Sequence, residues 1–412
     1  MKDTKNLKDH KQIGQELELF FTHDIAPGAP FWLPRGLIIF KQLEKYIREL
    51  TENAGYLETS TPIMVKSELF KQSGHWEKFG AHNMYNLQLS DENDDSKPVS
   101  YSLKPMNCPE STIIYRFRPR SYRELPLRLS EIGRLHRREK SGEVNGLLRV
   151  RQLTMDDAHI YATEEQIFDE VSNILDMMIH FYESFGFEYE FRFATRPESR
   201  AGNDKMWDKA ENALYQALKK KKIKAGDKMG DGAFYGPKID LHIKDSQKRE
   251  WQLATVQLDF HQPEAFNLKY IDENGESQRP VMIHRAIFGS FERFIGILTE
   301  HYQGKFPLWL SPVQIILVPI ADRHKEKAEK IFKKLQNEGI RVEIDDRKET
   351  MQSKIRDATL QKVPYMGIIG DKETEKSGEF LLSVRTREGK DLGQLAFPMF
   401  LQRVKEEIDT KV

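Results

Sequence analysis

VMIHRAIFGSFERFIGILTEHY, residues 281–302, reads as a strand, a turn and then an amphipathic helix. Gly289 allows close backbone approach at the turn. Arg293 falls at the start of the helix, where a guanidinium can clamp phosphates or stack on an adenine face. An arginine near a helix start is commonly just solvated, so the meaning of this stretch depends on what accompanies it.

Working outward, LPLRLSEIGRLHRRE (125–139) and LLRVRQLTMDDAHIY (147–161) mix alternation with β-branched and aromatic residues, and KSGEVNG joins them. This predicts a long antiparallel hairpin. Near its turn stand Arg137 and Glu139. An arginine there can neutralise an α-phosphate, and a carboxylate can accept from an adenine amino group. Other strands are expected at FEYEFRFAT (187–195) and WQLATVQLDF (251–260), and helices at 36–55 and 164–186. The lysine run at 219–224 ends a further helix, and DENDDSKP (91–98) is a solvated acidic loop. At FPLWLSP (306–312) the texture changes, and strands alternate with helices to the end of the sequence, predicting a small α/β unit.

Composition bounds the function more loosely. Lys plus Arg is 64 and Asp plus Glu is 64, so a nucleic-acid partner is not announced by net charge, and any basic surface is local. No apolar run is long enough for a signal peptide or a membrane span. Cys108, in KPMNCPE (104–110), is the single cysteine. An intrachain disulfide is impossible, and the expectation is a reducing cytoplasm. There is no Walker A sequence and no glycine-rich loop in a βαβ context.

PFWLPRG…ETSTP, RLHRRE and FGSFERFIGIL, in that order, resemble the three motifs of class II aminoacyl-tRNA synthetases. KPMNCPE, LRVRQLTMDDAHIY, GAFYGPKID, TVQLDF, GHW (74–76), WDKAE (207–211), KIRDATL, VPYMGIIGDKE and VRTREGKDLG narrow the resemblance to the threonyl-tRNA synthetase family. It runs in order from about residue 10 to the end of the sequence.

The resemblance implies an α+β fold. A six- or seven-stranded antiparallel sheet flanked by helices would occupy a class II catalytic domain over 1–308, with 1–30 as an entry segment. A small α/β anticodon-binding domain would follow over 309–412. It implies ATP-dependent ligation of L-threonine to tRNA(Thr) through a threonyl-adenylate. Zn²⁺ would be held by Cys108, His159 and His284, leaving a position open for the amino acid, and Mg²⁺ would accompany ATP.

Residue roles follow in the same way. Arg137 and Arg293 would stabilise phosphate charge, Glu139 would hold adenine, and Arg149 and Gln252 would contact ATP. Asp157 would receive the substrate ammonium, with Met106, Tyr235, Lys238 and Gln257 lining the threonine and adenylate pocket. His75 would relay a proton during transfer to the tRNA ribose. Arg356, Lys362, Glu373 and Arg385 would contact anticodon bases, whose edges suit such side chains. PFWLPRG and its helix imply a homodimer.

A site built around the hydroxyl rejects valine by roughly 10⁴-fold or more, whereas serine loses only a methyl, worth roughly 1–3 kcal/mol. Bacterial members usually carry two further N-terminal domains, one of which removes serine from mischarged tRNA. This sequence begins almost at the catalytic region, so the expectation is that the polypeptide forms Ser-tRNA and does not clear it.

Three places depart from the family pattern. Met155 stands where a glutamine is common, Glu110 and Ser111 replace the usual Gly-His after the cysteine, and Lys348 replaces an asparagine. The competing readings are a non-catalytic tRNA-binding paralogue and a sister synthetase for proline, serine or glycine. Retention of Arg137, Glu139 and Arg293 weighs against the first, and the Cys–His–His trio against the second.

Overall fold

The computed structural model describes residues 7–89, 98–245, 247–374 and 380–411. DENDDSK of the expected acidic loop lies outside the described residues. The chain divides into two compact units. One comprises residues 22–30 and 44–296, and the other the residues up to Phe21, Phe31–Leu43 and those from Ile297 onward.

The first unit is built on an eight-stranded sheet. Its strands are β1 (Leu57–Glu58), β2 (Leu127–His136), β3 (Gln152–Ala162), β4 (Tyr189–Ala194), β5 (Ala225–Lys228), β6 (Lys238–Lys244), β7 (Glu250–Asp259) and β8 (Val281–Ala286). They lie in the order β5-β4-β6-β7-β8-β3-β2-β1. The expected hairpin is β2–β3, in register from Leu127 opposite Tyr161 to His136 opposite Gln152.

The sheet is wider than the six or seven strands expected, and it is not antiparallel throughout. β5 runs parallel to β4, and β1 parallel to β2. The first exception has a direct cause. The chain leaves β4, passes through helix Asp204–Lys220 and returns in the same direction, as a parallel neighbour requires.

Helices give the sheet its apolar cover. α1 (Pro34–Asn53) follows the expected periodicity and is closed by Gly55 at φ +75°. α2 (Cys108–Arg116) was not anticipated from the sequence, and it begins at the cysteine itself. α3 (Ile167–Ser184) packs Phe181 against Phe288 at 5.3 Å between ring centroids, and Phe288 stacks in turn on Phe294 at 5.0 Å. This aromatic cluster is fully buried. It anchors the first turn of the helix Phe291–His301, which carries Arg293.

The second unit contains a five-stranded sheet of β9 (Ile315–Pro319), β10 (Val342–Ile344), β11 (Tyr365–Ile369), β12 (Leu381–Thr386) and β13 (Asp391–Ala396). The order is β10-β9-β11-β12-β13, with the first three parallel and the last two antiparallel. Helices Lys325–Asn337, Met351–Leu360 and Phe397–Asp409 accompany it, and Ile331, Leu335, Phe400 and Val404 close on Leu317, Ile369 and Val384. β13 was not read from the sequence, because DLGQLA is polar and interrupted by glycine.

Candidate active site and metal centre

β3 and β8 are antiparallel neighbours, and His159 on one stands directly opposite His284 on the other. Their side chains therefore leave the same face of the sheet. The imidazoles meet almost at right angles, with ring centroids 5.0 Å apart. Cys108 reaches the same point from the first turn of α2. One ligand atom from each of the three lies within 4.8 Å of the others, and all three residues are buried.

His284 is held by a carboxylate. Its Nε2 lies 2.8 Å from Asp259 Oδ2, which leaves Nδ1 as the nitrogen available to a metal. Asp259 is itself fixed. It accepts from the backbone N–H groups of His261 and Gln262 at 2.8 and 2.9 Å, and from Gln262 Nε2 at 3.0 Å. Such an outer carboxylate sets tautomer and orientation in histidine metal sites.

The electrostatics fit a cation. Burial raises the Cys108 thiol well above its ordinary range, and the nearby Asp157, Glu110 and Asp259 push the same way. Burial also holds the His159 imidazole well below its usual value, helped by His284 and Arg285. The trio is thus one soft donor and two imidazoles among acids, a set that suits zinc.

Beside the trio is a cavity of about 190 Å³. Met106, Arg137, Asp157, Tyr235 and Gln257 line it together with the three ligands. Tyr235 stacks on His284 at 4.8 Å and donates its hydroxyl to Gln257 Oε1 at 2.5 Å. Burial raises the Asp157 carboxyl to about 6, and Asn107 donates to it at 2.9 Å.

Arg137 also lines a second cavity of about 310 Å³, with Phe79, Glu139 and Arg149. Its Nε donates to Pro105 O at 3.2 Å. Glu139 accepts from Arg149 at 3.0 and 2.8 Å, so the two side chains expected at ATP engage each other here. Arg293 is anchored through Nε to Leu148 O at 2.9 Å. Burial lowers its pKa, and the positive charges of Arg137 and Arg149 add to the effect. Three arginines this close create a field suited to a polyphosphate.

Residues 85–302 match the tRNA synthetase class II core domain (G, H, P, S and T), and residues 314–407 match an anticodon binding domain. A threonine–tRNA ligase of Carboxydothermus hydrogenoformans is 48% identical over 404 residues, covering 98% of this chain and 62% of the relative. A threonyl-tRNA synthetase structure from Cryptosporidium parvum, titled as its RNA binding domain, superposes with a TM-score of 0.91 at 37% identity, covering 97% of this chain and 98% of that one. The chain belongs to the threonyl-tRNA synthetase family.

A putative threonyl-tRNA synthetase from Aeropyrum pernix has the same fold, with a TM-score of 0.82 and 27% identity over 98% of this chain and 97% of its own. A Thermotoga neapolitana threonine–tRNA ligase is 48% identical over 97% of this chain and 61% of its length. The chain thus spans about 62% of the length of the curated relatives it matches.

The remaining family positions fall as follows. Lys238 opens β6 opposite Gln257, buried, with Nζ 2.8 Å from Asp240 Oδ2. His75 is buried beside the metal trio, with Nε2 3.5 Å from Cys108 Sγ and Nδ1 2.8 Å from Ser73 Oγ. Burial and the neighbouring His284 lower it to about 4. Gln252 lies farther along β7, exposed, and lines neither cavity.

In the other unit Arg356 is exposed on its helix, and Lys362 follows that helix at φ +58°. Glu373 is buried and accepts from Gly370 N, Ser383 Oγ and Gln394 Nε2 at 2.9, 2.7 and 3.0 Å. Arg385 lies on β12, and its Nε is buried without a partner among the described residues.

Of the departures, Met155 lines the cavity beside the trio. Glu110 is buried with neither carboxylate oxygen hydrogen-bonded among the described residues, and burial raises it to about 8. Ser111 Oγ lies 2.9 Å from Tyr161 OH. Lys348 is exposed. Asp259 and Asn107 went unread in the sequence, because only the folded geometry shows what they hold.

Proposed function

We propose that the chain ligates L-threonine to tRNA(Thr) at the expense of ATP, through a threonyl-adenylate. The observation that carries this reading is the convergence of Cys108, His159 and His284 on the cavity lined by Asp157 and Arg137. Zinc, when bound by that trio, supplies an open position that selects a hydroxyl-bearing amino acid. Asp157 receives the ammonium, while Tyr235 and Gln257 close the pocket around the side chain and Met106 packs beside it. The threonine carboxylate then points toward Arg137, which lines both cavities.

ATP, with its magnesium, occupies the larger cavity. Arg137 and Arg293 stabilise charge as the carboxylate attacks the α-phosphate and pyrophosphate leaves. Glu139 turns from Arg149 to the adenine amino group, which frees Arg149 for the nucleotide, and Gln252 adds a further contact. Lys238 borders the adenylate. His75, uncharged at neutral pH, is the residue given the role of receiving the proton of the attacking ribose hydroxyl.

The catalytic domain is assigned to 1–308 and the anticodon-binding domain to 309–412, with Arg356, Lys362, Glu373 and Arg385 at the anticodon. A two-fold dimer is supported by Phe21 and Phe31, which stack at 4.9 Å yet stay 45% and 38% exposed. Among the described residues no helix is long and apolar enough to cross a membrane, and the free Cys108 suits the cytoplasm.

The test is amino-acid-dependent ATP–pyrophosphate exchange with threonine, serine and valine, before and after chelation. Exchange is expected to be highest with threonine, lower with serine and almost absent with valine, and chelation should abolish it. A folded, zinc-loaded protein that exchanges with no amino acid would refute the proposal in favour of a non-catalytic tRNA-binding role.

A further inference from the structure

We infer that Asn107 is a positioning residue for the amino-acid site. Its amide fixes Asp157, and Gly133 is glycine because that amide fills the space a side chain would take. The inference rests on the reading of Asp157 as the acceptor of the substrate ammonium.

Asn107 immediately precedes α2, and asparagine there is a favoured cap for the free N–H groups of the first turn. Yet its side chain makes no capping hydrogen bond. The amide is used elsewhere. Nδ2 donates to Asp157 Oδ2 at 2.9 Å, and the residue is completely buried. An ionised carboxylate only accepts, so this bond sets which end of the amide faces Asp157. The other Asp157 oxygen lies 3.8 Å from His159 Nε2, too far for a hydrogen bond. Asp157 is therefore tethered through one oxygen while the residue faces the cavity.

Gly133 completes the arrangement from the adjacent strand. It lies on β2 opposite Met155, two residues along from the Glu131–Asp157 pair. Its φ is not among the positive ones, so the backbone there has no need of glycine. Space decides instead. A Cβ on Gly133 would fall 2.3 Å from Asn107 Oδ1 and 2.6 Å from Nδ2. Asn107 is completely buried, so a methyl there could be accommodated only by shifting the amide that is bonded to Asp157. Consecutive residues thus set the metal-binding thiol and the ammonium acceptor, and the distance between the two ends of the bound amino acid depends on Asn107.

The experiment is threonine-dependent ATP–pyrophosphate exchange on the full chain, loaded with zinc, for Asn107→Ala, Asn107→Ser, Gly133→Ala and the double variant Asn107→Ala/Gly133→Ala. The loss of a hydrogen bond to a charged group predicts a KM for threonine raised about 10- to 100-fold in Asn107→Ala. Zinc content and the KM for ATP should stay unchanged. Serine caps helices as well as asparagine does but is too short to reach Asp157, so Asn107→Ser should not rescue.

Gly133→Ala should reproduce the defect, and the double variant should be no worse than Asn107→Ala, because the added methyl then meets no amide. An unchanged threonine KM in Asn107→Ala, recovery in Asn107→Ser, or multiplying effects in the double variant would each overturn the inference. If Gly133→Ala does not fold, the two Asn107 variants decide alone. An unmodified chain without threonine-dependent exchange would overturn the functional reading and this inference together. An active one with indifferent variants overturns the inference only.

Discussion

Replacing Asp259 with asparagine should weaken zinc binding about 10- to 100-fold while the fold persists. The carboxylate accepts four hydrogen bonds. Oδ1 takes the backbone N–H groups of His261 and Gln262, and Oδ2 takes Gln262 Nε2 and His284 Nε2. Asparagine keeps one oxygen, which the two backbone donors will claim. Its NH₂ then faces two other donors.

His284 relieves the clash by moving its proton from Nε2 to Nδ1, the nitrogen that should carry the lone pair for the metal. The cost is that of the wrong tautomer, about 1.4–2.7 kcal/mol for the 10- to 100-fold loss. Competition against a chromophoric chelator measures the affinity, and a thermal scan of the apoprotein checks the fold. Zinc affinity within twofold of the unmodified chain, in a folded Asp259→Asn protein, would refute the assignment of Asp259 as the residue that holds His284.

Four further outcomes are expected. Asp156→Ala strands the fully buried Arg285, with which Asp156 is ion-paired, and should cost about 3–5 kcal/mol in chemical denaturation. Glu139→Ala should raise the KM for ATP about tenfold and leave that for threonine unchanged, read from the same exchange assay with each substrate varied. Glu373→Gln removes one acceptor from a buried set of three hydrogen bonds and should lower the stability of the second unit by about 1–3 kcal/mol in thermal denaturation.

Glu292 gives a pH signature. Burial raises it from 4.5 to about 7, so its stabilising contribution is complete below pH 4.5 and is lost as pH rises through 7. Glu292→Gln should therefore raise the melting temperature relative to the unmodified chain more at pH 8 than at pH 5. An equal difference at both values would contradict this.

Much of the architecture was legible because its signals are local. The alternation in LSEIGRLH and QLTMDDAHI specified the hairpin, and the spacing of Leu37, Phe40, Leu43 and Ile47 specified α1. β5 and β13 were missed because AGDK and DLGQLA are polar, exposed edge strands with no apolar period to read. The metal trio had no local signal at all. His159 and His284 meet only through the pairing of β3 with β8, so family resemblance alone assembled them with Cys108. Asp259 looked like any strand-end carboxylate. Glu110 and Met155 were noticed as departures, but that one is buried with no hydrogen-bond partner among the described residues and the other lines the cavity beside the trio is a matter of packing.

The facing of His159 and His284 across adjacent strands has a consequence for how this site tolerates change. The gauge between the two imidazoles is one interstrand step, set by backbone hydrogen bonding that is indifferent to side-chain identity. A substitution such as Met155 alters the cavity wall without altering that aperture. Side chains around the trio can therefore change while the span between its two imidazoles stays calibrated by the main chain.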